Sequence, residues 1–177
     1  MDPRLRTLRL EIAESISDLE NERLTFHEPG QWCIGEILEH LYWTYTGTIK
    51  GCMRLLESGK PQASRATWKN VAQSIVVVRF GYMPSGRKSP AGAQPRGLAA
   101  QKVAKEIEAK ITEMDGVLTE CAARFGMRVK VLDHPVLGPF SIQQWRKFHL
   151  VHGLHHVKQI RRRRAEGENK RLPPIAV

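Results

Sequence analysis

Apolar residues return every three or four positions in four separate stretches of this chain, and that period restricts the fold to packed helices. Leu5, Leu8, Ile12, Ile16 and Leu19 predict a first helix over residues 4–23. Ile34, Ile37, Leu38, Leu41, Tyr45, Ile49, Cys52 and Leu56 predict a second, running to about Glu57. Ala100, Ala104, Ile107, Ile111, Met114, Leu118 and Cys121 mark a third, from about Leu98 to near Gly126. Ser141 stands at the N-cap position of a fourth, which continues through about Arg164.

The segments between them carry the breaks. "GYMPSGRKSPAGAQPRG" (Gly81–Gly97) has three prolines and four glycines in 17 residues, which predicts a long irregular loop. Just before it, "VAQSIVVVRF" fits a strand or a buried helical turn equally well by period; its setting favours a short helix. "VKVLDHPVLGPF" predicts an irregular link with two prolines. Four amphipathic helices without parallel-strand signals predict an all-α four-helix bundle with a long crossover connection between helices two and three. The bundle is expected to occupy residues 1–165, with residues 166–177 as a basic C-terminal tail.

At 177 residues the chain is long enough for one full core. No apolar run is long enough to span a bilayer, and "MDPRLRTLRLEIAES" is charged where a signal peptide is apolar. Three widely spaced cysteines, Cys33, Cys52 and Cys121, argue against a disulfide framework and for a cytoplasmic protein. The net charge of +10 is unevenly placed. Lys60 to Lys105 contains nine Lys/Arg and no acid, and Lys158 to Val177 carries +5, which leaves −4 for everything else. Anionic partners are therefore expected near the crossover and the tail rather than along the helical body.

The fourth helix holds four histidines in eight residues, His149, His152, His155 and His156. At 100° per residue, Trp145, Phe148, His149, His152, His156, Gln159 and Ile160 share an arc of roughly 120°, so the inward face is part aromatic and part imidazole. Buried imidazoles need hydrogen-bond partners or an ion, since each unpaired polar group costs about 1–3 kcal/mol. His152 and His156 lie about 40° apart around the axis and roughly 6 Å along it, a spacing that lets both bind one ion. A third ligand must come from another element. His40 on helix two lies in line with Cys33 and Thr44 and close to Gly47 and Gly51, small residues that leave room for a cavity.

"WCIGEILEHL" (Trp32–Leu41) opening the second helix, together with "WRKFHLVHGLHHVKQI" (Trp145–Ile160) closing the bundle, resembles the DinB/YfiT-like superfamily of metal-binding four-helix bundles. Within it, "MPSGRKSP" and "HPVLGPFSIQQW" are most similar to a branch of uncharacterised bacterial proteins that carries a domain-of-unknown-function label. The resemblance covers nearly the whole chain. It implies one divalent metal held by His40, His152 and His156, and either a metal-dependent hydrolase or a thiol-dependent S-transferase.

Three neutral imidazoles with an open position suit zinc or nickel and admit manganese, iron or cobalt. The ion then activates a water or a low-molecular-weight thiol. Gly153 stands where a zincin would carry its Glu, which argues against that peptidase type; Glu36, one turn before His40, is the carboxylate nearest by spacing and the candidate base. Gln159 and His149 are expected to support the ligands from behind. Arg87 and Lys88 in the long loop are the candidate cations for an anionic small-molecule substrate or thiol. Tyr42 and Trp43, off the main stripe of helix two, suggest a homodimer. The alternative is a nucleic-acid-binding or stress-associated accessory protein that uses "RRRR" (Arg161–Arg164) and the acid-free crossover, although no base-reading motif accompanies them.

Overall fold

A computed structural model describes residues 1–79, 81 and 89–169. Four long helices carry the fold: α1 (Pro3–Ile16), α3 (Ile34–Ser58), α5 (Ala100–Phe125) and α6 (Ile142–Asn169). Shorter elements fill the connections: α2 (Asn21–Thr25), α4 (Trp68–Ser74) continued by a π-turn (Ile75–Arg79), and the strands β1 (Lys130–His134) and β2 (Gly138–Ser141). The expected all-α bundle with its crossover between the second and third long helices is what forms. Among the described residues no helix is long and apolar enough to cross a membrane.

The helix ends are set by side chains. Asp2 caps α1 by accepting from the Arg4 amide at 2.9 Å, with Pro3 at the first helical position where its missing N–H costs nothing. Cys33 and Glu36 cap α3 reciprocally, and Gly59 ends it in the left-handed conformation at φ +71°. Ser141 caps α6 as expected, accepting from the Gln144 amide while Gln144 Oε1 accepts from the Ser141 amide. The first helix stops earlier than its period predicts. Ser15 and Ser17 turn their hydroxyls onto the carbonyls of Ile12 and Glu14, Asp18 takes φ +60°, and Leu24 reaches the core from α2 instead.

Pairings along the chain give the helix directions. Gly35 meets Ala100, Tyr42 meets Glu106, and Leu56 meets Arg124, so α3 and α5 run parallel. Asp2 meets Arg146, Leu8 meets Gly153, and Glu11 meets Arg161, so α1 and α6 also run parallel. His40 beside His152 and Thr48 beside His149 make α3 and α6 antiparallel. Two parallel neighbours in sequence order, α3 and α5, require the chain between them to return the length of the bundle. The return falls to the connection between Ser58 and Ala100, whose described part includes α4.

The link expected to be irregular between the last two long helices is a β-hairpin. Its strands pair antiparallel, with Leu132 opposite Phe140 and His134 opposite Gly138. Gly138 at φ +75° closes a three-residue turn, and Pro139 is tolerated because a two-stranded sheet consists of edges. The hairpin lies against α3 at Gly51, where an added Cβ would come within 2.5 Å of Leu132. Arg87, Lys88 and residues 170–177 lie outside the described residues.

Candidate metal centre

The inward stripe of α6 is buried as the wheel predicts, with Trp145 and Phe148 followed by His149, His152, His156 and Ile160. His40 arrives from α3 between Leu38 and Leu41 and is itself buried. His40 Nδ1 lies 2.7 Å from the Ala93 carbonyl, with Ser89 Oγ at 3.2 Å. A carbonyl only accepts, so Nδ1 carries the proton and Nε2 presents its lone pair. That lone pair is 3.1 Å from His152 Nε2. His156 repeats the arrangement: its Nδ1 donates to Gln159 Oε1 at 2.8 Å, and its Nε2 stands 3.1 Å from His152 Nε2.

Three imidazole nitrogens thus converge, and protons cannot satisfy them. A proton on His152 Nε2 can be shared with only one of the two facing lone pairs; a proton on its Nδ1 leaves three lone pairs together. Among the described residues His152 Nδ1 moreover has no partner, and it is buried. A cation satisfies all three at once. Nitrogens about 2.05 Å from a tetrahedral zinc stand about 3.3 Å apart, close to the 3.1 Å separations found here. The three residues form a buried group that could hold a metal ion. Burial keeps them neutral, which a ligand requires. It lowers His40; it lowers His152 further, helped by the neighbouring His156 and His40; and it takes His156 down to about 3.

The other expected residues are distributed around this centre. Gln159 is hydrogen-bonded to His156 Nδ1 and also bridges to His155 Nε2 at 3.1 Å. His149 bonds Thr48 Oγ1 at 3.0 Å and stacks on Trp145, and among the described residues it makes no hydrogen bond to the three imidazoles. Glu36 accepts from the Cys33 amide at 2.9 Å and sits 3.5 Å from His27, so it closes the helix cap rather than reaching an imidazole of the centre. His27, Cys33 and Glu36 also bring ligand atoms together, but the thiol and carboxylate are engaged in that cap.

Two surface features have internal roles. Tyr42 lies under Lys110 and Trp43 under Arg96. The arginine run fastens the bundle: Arg161 pairs with Glu11 and Glu14, Arg162 donates to Gln31 Oε1, and Arg164 donates to the Ser17 carbonyl. Arg163 is buried and donates to the Trp32 carbonyl and to Gln31.

Glu39, which spacing did not single out, organises the approach to His40. Its carboxylate is buried and accepts from Trp43 Nε1 at 2.9 Å and from the amides of Arg96, Gly97 and Leu98 at 2.7, 3.1 and 3.1 Å. Burial alone would raise its pKa, but these four donors outweigh that and hold it below the usual carboxylate value. The same grip pins the end of the crossover, whose Ala93 carbonyl orients His40. The only sequence signal for it was an acid beside a helical histidine.

A cleft opens over the three imidazoles. The small residues Thr44, Gly47 and Gly51 line one side, Trp32 and Phe148 line others, and Arg54 and Lys158 contribute exposed cations.

No curated protein and no solved structure matches the chain. A family model does match residues 5–163, a span that takes in α3 and α5, most of α1 and α6, and the three histidines. The chain belongs to the DUF1569 family, described as proteins of unknown function.

Proposed function

We propose that this protein binds one divalent metal through His40, His152 and His156 and uses its open position, which faces the cleft, to act on a small molecule. The observation that carries this reading is the convergence of three neutral Nε2 atoms, two with their tautomer set from behind by Ala93 and Gln159. One ligand on the second long helix and an HxxxH pair on the last is the order of the DinB/YfiT-like bundles, and we read the chain as a branch of that superfamily.

A divalent ion at such a site lowers the pKa of a thiol or water that reaches it. Among the described residues Glu36 and Asp133 line the cleft, although no carboxylate is hydrogen-bonded to the three imidazoles. The site therefore supports metal-dependent hydrolysis and thiol-dependent group transfer alike. The protein's own residues hold the imidazoles neutral, fix two of them in the ligating tautomer, and wall the open side with Trp32 and Phe148. The arginine run, engaged within the bundle, lends no support to the nucleic-acid reading.

Elemental analysis of purified protein tests the metal. About one ion per chain is expected in wild type and a small fraction of that in His156→Ala and His40→Ala. Full stoichiometry in His156→Ala would refute the assignment. A screen of thiol cofactors with and without chelator then separates transfer from hydrolysis.

A further inference from the structure

His134 is the last residue of β1, ahead of Pro135, where the hairpin turns. Its Nδ1 accepts from the amides of Val136 and Leu137, both at 3.1 Å. Those amides can only donate, so the neutral ring carries its proton on Nε2. Burial holds the pKa at about 4, so the ring is neutral near pH 7.

The ring is also held in place. Phe148 packs edge-on at 4.5 Å between centroids, with Phe140 at 5.5 Å and Trp145 at 5.6 Å. Phe148 in turn stacks on His152 at 5.2 Å and 11°, so one aromatic ring separates His134 from the candidate metal ligand. His134, Phe148, His152 and His156 line the same cleft. Among the described residues nothing accepts from His134 Nε2. A fixed neutral donor beside a cleft gains a partner only from what enters it.

We propose that the Nε2–H of His134 is a ligand-recognition donor, and that the cleft takes a small molecule with a metal-binding atom at one end and a carbonyl or carboxylate oxygen at the other. The inference rests on the metal reading above. Arg54 and Lys158 line the cleft too, and they select for charge. His134 selects for an acceptor whether or not it is charged, so an uncharged probe isolates its contribution.

The probe is 3-mercaptopropionamide, compared with its apolar isostere 3-methyl-1-butanethiol, in cobalt-loaded protein. Binding is read from the sulfur-to-cobalt absorption band. Wild type is expected to bind the amide about tenfold more tightly than the isostere, the size of one added hydrogen bond. In His134→Asn the amide oxygen can still accept from the turn, but the far-side donor is gone; cobalt content should hold and the preference vanish. An independent measurement uses unmutated zinc-loaded protein, in which the His134 Nε2 proton should shift downfield with the amide and stay in place with the isostere. Retention of the preference in His134→Asn, absence of any preference in wild type, or an unmoved proton overturns this inference alone. A wild type that takes up no cobalt overturns the metal reading and this inference with it.

Discussion

Glu36 and Glu39 sit one helical turn apart in type of residue but far apart in use. Spacing favoured Glu36 because it lies one turn before His40, yet a carboxylate at the third position of a helix is drawn to the free amides of the cap. Glu39 lies next to His40 and faces the returning crossover, where three backbone amides and an indole meet it. Its loss would orphan those donors and release the segment that orients His40. Glu39→Ala is therefore expected to cost roughly 3 kcal/mol in urea unfolding. It should also weaken zinc binding at least tenfold, as loss of support behind a ligand does. A competition titration that finds zinc affinity unchanged would show that the Ala93 carbonyl holds its position without Glu39.

At the scale of elements, glycine placement decides how closely α6 approaches α1. A Cβ at Gly153 would lie 2.2 Å from Leu8 Cδ1, and Leu8 is fully buried, so its side chain would have to shift within the packed core. The position that carries a catalytic Glu in zincins is here a packing contact. Gly153→Ala gains about 1 kcal/mol of helix propensity, but overpacking costs about 1–3 kcal/mol. The net expectation is destabilisation of about 1 kcal/mol, measured as a lower urea midpoint; a stabilised variant would mean that α1 shifts freely against α6. The hairpin shows the opposite limit. Two prolines in twelve residues predicted an irregular link, whereas Pro139 needs no ladder donor and Gly138 supplies the positive φ that the turn requires.

For the whole molecule, the imidazoles that the core encloses make stability depend on pH. His149 is fully buried, and burial, with a smaller contribution from His134, lowers its pKa from 6.5 to about 3. Below about pH 6.5 the unfolded chain takes up a proton that the folded chain does not accept until about pH 3, so more protons are bound unfolded and stability falls as pH falls. Between pH 7 and pH 5 this one group is expected to remove about 2 kcal/mol from the metal-free protein. Replacing His149 with Leu should make urea midpoints less sensitive to pH across that interval by the same amount. Equal pH dependence in the two proteins would show that His149 takes up its proton in the folded state as well. Buried Arg146 and Asp115, with Asp2 and Thr119 at their edge, tie the start of α1 to α5 and α6, so the bundle closes around its histidines as one unit.

The four long helices, the crossover and the three clustered histidines were legible along the chain, because a period of 3.6 residues reports which side of a segment faces inward and which residues share that side. His152 and His156 needed nothing more than their own spacing. His40 needed a facing helix, and only the antiparallel packing of α3 on α6 put its Nε2 beside theirs. The partners of the polar groups were not legible. Arg161–Arg164 read as a free basic run until α1 and the segment after α2 came alongside it. Glu39 acquired its role from residues 96–98, and His134 acquired its tautomer from a turn concealed by prolines. Periodicity is a local property, whereas a hydrogen bond or ion pair between distant segments exists only once the chain has closed, and its energy depends on burial that closure creates.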